Sequence, residues 1–247
     1  MKAWLLVCGI VAPIQVVFFI LAAALATPGY SHLSDTVSVL GAQGQPYAWF
    51  IGTGLVIYGL LICACARGLY LAVAPGRAAA WLWLSMTVHG VSVLCAGVLQ
   101  DYTADHPDPL TFAGDLHGYL AYAAFVGLLA AMFFSGIVTR KRDGWNSHSP
   151  LTIAAALVSI AIVSLFFLEP LHPAQGLIQR GFYVLPMVWL ALTSLHAYAL
   201  TSGSERKAVF ALSGGAPMGR EELAGGTKQP MTSQDGHERP DRKPRRR

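Results

Sequence analysis

Charge is what this chain has least of. Only 12% of its 247 residues are Asp, Glu, Lys or Arg, against 54% hydrophobic, and the mean hydropathy is +0.50. A soluble domain carries about 25% charged residues, so membrane residence is the first reading. Cysteine is scarce too: Cys8, Cys63, Cys65 and Cys95 all fall inside apolar stretches and suggest no disulfide framework. Cys63 and Cys65 lie two apart and, on a helix, point to different faces, which argues against a shared metal. No HExxH, HxxxH or other paired-ligand spacing occurs, and no GxSxG, so the zinc-peptidase and nucleophile-elbow signatures are missing. Ten-residue stretches of apolar and polar alternation are missing as well, which argues against a membrane β-barrel. No internal repeat is visible, leaving an inverted-repeat transporter unsupported.

What is present is apolar sequence in runs long enough for a bilayer. A helix needs about 20 apolar residues to cross roughly 30 Å of hydrocarbon, and six runs qualify, at approximately 3–26, 46–66, 78–99, 112–138, 151–168 and 178–200. The expected fold is all-α, an integral membrane bundle of six transmembrane helices over residues 1–201. Residues 202–247, rich in Gly, Pro and charge, read as a disordered basic tail. Threading six spans puts all but Arg180 of the 17 basic residues on the side of both termini. The positive-inside pattern then makes both termini cytoplasmic, N-in and C-in. The net charge of +4 averages a basic inner face with an acidic outer one and implies no nucleic acid. The tail, ending in Arg245, Arg246 and Arg247, is placed to touch anionic lipid of the inner leaflet; an inert tail is the alternative. Ala24-Leu25-Ala26 resembles a signal-peptidase site, but the preceding apolar stretch is too long and contains Pro13 and Gln15, so it reads as a retained span.

Pro28-Gly29-Tyr30 stops the first span, after which Leu33, Val37 and Leu40 recur at helical spacing opposite Ser31, Asp35 and Ser38. A short interfacial helix lying on the outer membrane surface is predicted there, ended by Gly41 and Gly44. In the third span Ser85, His89 and Ser92 form a polar line that should face other helices, with His89 roughly 18 Å in from Arg77. For His89 and His196 a neutral core histidine is the plainer reading. The second outer loop is acidic, and Asp105, His106 and Asp108 read as solvated turn residues. Gly114 and Gly118 flank Asp115 and His117 as a small-xxx-small pair, which predicts a tight helix contact at His117. The fifth span, poor in polar groups, is expected at the periphery, and Pro186 is expected to kink the sixth. Arg180, at a helix start where the dipole gives it nothing, calls for a carboxylate such as Asp35 or Asp115, or for an anionic ligand. A tie holding the loops to the bundle is equally compatible.

Pro28-Gly29-Tyr30, Asp35-Thr36-Val37-Ser38-Val39-Leu40-Gly41, Leu116-His117-Gly118 and Gly176-Leu177-Ile178-Gln179-Arg180 together resemble the bacterial membrane proteins of domain of unknown function 998 (DUF998), over roughly residues 5–200. The resemblance implies a six-span bundle in an actinobacterial or similar plasma membrane. It marks Tyr30, Asp35, Ser38, His117 and Arg180, and an acid after the third span for which this chain offers Asp101 or Asp105. It implies no reaction and no cofactor. The leading expectation is a binder of a lipid or other amphipathic molecule in an outer-facing pocket, with Tyr30, Asp35, Ser38, His89, His117 and Arg180 as ligand contacts. An intramembrane enzyme acting on a lipid or isoprenoid is the alternative. Its acid-base candidates are Asp35, Asp101, Asp115 and His117, and its metal candidates are His117 and Asp101. A small-solute transporter is third, because beyond His89, Gln15 and Thr53 the inner half offers little polar pathway.

Overall fold

A computed structural model describes residues 3–73, 76–102, 112–145 and 147–212, with side chains as far as 203. Asp105, His106 and Asp108 of the second outer loop, and the expected tail from 213 onward, lie outside the described residues. The chain runs through α1 (Trp4–Ala26), the single turn α2 (Val37–Leu40), α3 (Ala48–Ala72), α4 (Arg77–Val98), α5 (Phe112–Thr139) and α6 (His148–Leu165). A 3-10 segment (Glu169–Ala174) then leads into α7 (Gln175–Leu212). Six of these helices are long and apolar enough to cross a membrane. No strand occurs among the described residues, in keeping with a medium where each segment has to satisfy its own backbone. Met1–Lys207 form one compact unit; of the second, Ala208–Arg247, the described part is the last five residues of α7.

Within the first unit the spans pack on one another in chain order. α1 packs on α3, α3 on α4, α4 on α5 and α5 on α6. α7 reaches four of the others: Trp189 Nε1 donates to Thr152 Oγ1 of α6 at 3.1 Å, Ser194 packs at Gly9 of α1 and Cys65 of α3, and Phe182 packs on Phe125 of α5. The core is apolar, with Leu6, Ile62, Leu69, Leu82, Met86, Met132 and Leu190 fully buried. α6 is the least enclosed span, and its Ser149, Thr152 and Ser159 lie on the buried stripe while Leu151, Leu157 and Ile160 face outward.

α3 and α4 approach closely. Gly52 and Gly59 on one, and Gly90 and Gly97 on the other, each lie seven residues apart and so share a face. Gly52 meets Gly97 and Gly59 meets Gly90, main chain to main chain; a Cβ on Gly97 would stand 2.7 Å from the Gly52 carbonyl oxygen and 2.9 Å from Leu55 Cβ. Between helices in lipid, such close packing is a principal source of association. The predicted pair behaves differently: Gly114 packs on the Tyr102 ring, and Gly118 meets nothing within 4 Å among the described residues. It is Gly127 that brings α5 onto the His89 backbone of α4, where a Cβ would stand 3.0 Å from the His89 nitrogen.

The short helix expected in the loop after α1 is present as α2. It is one turn, and Val37 and Leu40 are buried, Leu40 in a cluster with Ala23, Ala24 and Ile51, while Leu33 stays outside. The segment is folded onto the end of the bundle and fastened to the start of α7.

Candidate functional site

That fastening is built on Arg180, in the second turn of α7. Its Nη1 lies 2.9, 3.0 and 2.7 Å from the carbonyl oxygens of His32, Asp35 and Gly176. Its Nη2 donates to the Tyr30 hydroxyl at 2.5 Å, and the guanidinium sits 5.6 Å over the Tyr30 ring. The Tyr30 hydroxyl in turn donates toward the carbonyls of Thr36 at 3.1 Å and Asp35 at 3.3 Å. Burial pushes that hydroxyl above its ordinary pKa, with Arg180 opposing. Sequence reasoning asked for a carboxylate or an anionic ligand, or else a tie between the loops and the bundle; the partners present are main-chain carbonyls. The Asp35 carboxylate is committed to its own turn, accepting from the Ser31 N–H at 2.8 Å and the Ser34 hydroxyl at 2.9 Å. Carbonyl dipoles hold the cation without a second ion having to be desolvated. Gln179, which sequence reasoning passed over, accepts from the Val37 N–H at 2.5 Å and so caps α2.

Beneath α2, at the same end of the bundle, α1, α3, α4, α5 and α7 enclose a cavity of about 330 Å3. Its walls are apolar, with Val16, Ile20, Leu55, Val93, Leu128 and Met187 among them. Trp49 and Val98, each 68% exposed, also line it, so it reaches the surface where α3 begins and α4 ends. Its polar groups are Ser38, Gln100 and His117 near that mouth, Tyr58 and His89 deeper, on the mid-span turns of α3 and α4, and Tyr183 of α7.

His89 Nδ1 is 2.8 Å from the Ala124 carbonyl, and its Nε2 is 3.1 Å from the Tyr58 hydroxyl. His117 Nδ1 is 2.7 Å from the carbonyl of Leu99 and 3.1 Å from that of Ala96, main-chain acceptors that the end of α4 leaves unpaired. The His117 Nε2 stands 3.9 Å from Asp101 Oδ2. Asp101 itself is anchored, its Oδ1 accepting from the Tyr102 N–H at 2.8 Å and its carbonyl from the Gln43 N–H at 3.0 Å, beside the bridge between Ala42 and Asp101.

The sequence candidates therefore separate into two groups. Tyr30, Asp35 and Arg180 form the latch; Ser38, His89 and His117 line the cavity, with Asp101 behind His117. Asp115 belongs to neither: it is exposed at the start of α5 and accepts a short hydrogen bond from Tyr102, which raises that hydroxyl to about 12. Among the described residues no three His, Cys, Asp or Glu side chains converge as a metal site would need; His117 and Asp101 are a pair. Tyr58 is a cavity residue that sequence reasoning passed over. The signal was there, since Ile51, Gly54, Tyr58, Ile62, Cys65 and Leu69 follow the 3.6 period of one buried face.

No curated protein and no solved structure matches this chain. The family model described as a protein of unknown function, DUF998, matches residues 10–196, which takes in α1 through most of α7 and every residue of the latch and the cavity. With most of its length matched and six helices fit to cross a membrane, the chain belongs to the DUF998 family.

Proposed function

We propose that the chain is a multi-pass protein of the bacterial plasma membrane with both termini cytoplasmic, and that its cavity holds a lipid or other amphipathic molecule drawn from the outer leaflet. The orientation rests on charge: Arg67, Arg77, Arg140, Lys141 and Arg142 gather at the end away from the cavity, and Arg180 stands alone at the cavity end. The observation that carries the binding reading is the cavity itself, about 330 Å3 with hydrocarbon walls, a surface opening beside Trp49, and polar groups at its mouth and deeper. That volume is in the range of ligand sites, roughly 300–1,000 Å3. A hydrocarbon chain fits the walls, and the head group meets Ser38, Gln100 and His117. One observation favours a second reading, acid-base chemistry on the same molecule: the His117 imidazole has Asp101 at 3.9 Å, a pairing from which a general base can be assembled.

Ala121, on the cavity wall, supplies the test. Wild-type protein in nanodiscs, examined by native mass spectrometry, is expected to retain a lipid-sized adduct. Ala121→Trp fills the cavity and is expected to lose the adduct while remaining folded. Retention of the same adduct by both proteins would sink the proposal.

A further inference from the structure

The two imidazoles of the cavity have the same arrangement. Each directs Nδ1 at main-chain carbonyl oxygen, His89 at Ala124 (2.8 Å) and His117 at Leu99 (2.7 Å). A carbonyl has no hydrogen to give, so Nδ1 carries the proton in both rings and a neutral ring keeps Nε2 as a lone-pair acceptor. At His89 a second proton would put a cation against apolar walls. Asp101, at 3.9 Å, is beyond hydrogen-bond reach of His117. At His89 the Nε2 lone pair takes the Tyr58 hydroxyl hydrogen at 3.1 Å, which leaves Tyr58 with only its oxygen lone pairs to offer. At His117 the acceptor is Nε2 itself. Ser38, Gln100 and Tyr183 also line the cavity, but each can donate or accept and so does not discriminate.

Both fixed polar groups are therefore acceptors, and a carboxylate stands beside one of them. Resting on the binding reading above, the geometry points to a ligand class: an uncharged, hydrocarbon-rich alcohol whose hydroxyl donates to Tyr58 or His117. Ketones, aldehydes and ethers have no hydrogen to give. Phosphate esters bring negative charge toward Asp101, with Arg180 turned away into the latch.

Four probes that share one chain decide this: farnesol, farnesal, farnesyl methyl ether and farnesyl monophosphate. Each is titrated against the full chain in nanodiscs with native mass spectrometry as the readout. Farnesol is expected to bind at least tenfold more tightly than the other three. Tyr58→Phe is expected to cut that preference severalfold with ether binding unchanged; the wild-type series decides alone if the variant does not fold. Equal binding of farnesol and its methyl ether, or tighter binding of the aldehyde or phosphate, overturns the alcohol assignment and leaves the pocket reading standing. Binding of none of the four, with no adduct on the protein as purified, overturns both.

Discussion

Arg180→Ala lowers the thermal midpoint by about 6–12 °C, the equivalent of about 3 kcal/mol for a chain of this size. Hydrogen bonds to a charged donor contribute about 1.5–3 kcal/mol each, and Arg180 reaches three carbonyls and the Tyr30 hydroxyl. The sum is discounted because Nη1 has two hydrogens to share among three carbonyls, and because the site is only half-buried and water replaces part of what is lost. Lysine cannot span the same fork, so Arg180→Lys recovers less than half of the loss. Differential scanning fluorimetry in detergent measures the shift, and hydrogen exchange should show residues 30–38 opening first. A change below about 1 kcal/mol would mean that the carbonyls find water at no cost and that the latch is incidental. Because Val37, Ser38 and Gly41 of the fastened segment line the cavity, the same variant should also weaken ligand retention.

Gly97→Leu should abolish the folded protein altogether. A leucine at that position has to pass through the Gly52 carbonyl and the Leu55 side chain, and main chain cannot step aside as a side-chain tip can. Overpacking in a core costs about 1–3 kcal/mol for added methylenes; here four carbons enter a contact with no room for one, so α3 and α4 separate. Gly118→Ala is the control. Among the described residues nothing lies within 4 Å of its Cβ position, and stability should change by less than about 0.5 kcal/mol, or rise slightly with helix propensity. Size-exclusion profiles and thermal midpoints of the two variants test both expectations. A well-folded Gly97→Leu would show that α3 and α4 do not rely on close approach.

The spans were legible because hydrocarbon thickness leaves little freedom in length. Their ends were less so. α3 runs to Ala72, past the expected stop at 66, since Arg67 ends the apolar run but not the helix. α6 starts at His148 because Pro150 is tolerated in a first turn, where no partner awaits its missing N–H. α7 continues to Leu212, so residues 202–212 of the expected tail are helical. Which faces meet was far harder to read. The seven-residue spacing of Gly52 with Gly59 and of Gly90 with Gly97 is visible in the sequence, yet only their pairing reveals that it sets the α3–α4 contact. Tyr58 and His89 face each other as a consequence of that contact. The partners of Arg180 were unreadable for a different reason: carbonyl acceptors exist at every residue and leave no mark in a side-chain pattern. The cavity was hidden too, because it is bounded in part by small residues, Gly52, Ala96, Gly97 and Ala121, whose missing volume counts only once their neighbours are known.

Photocrosslinking asks most directly whether the cavity holds a hydrocarbon-chain molecule. A fatty alcohol with a mid-chain diazirine, activated in nanodiscs containing the protein, is expected to label Val93, Ala121 and Leu128 inside the cavity, and to lose those labels in Ala121→Trp. Labels confined to the outward-facing Leu157, Ile160 and Leu192, and unchanged in the variant, would contradict it.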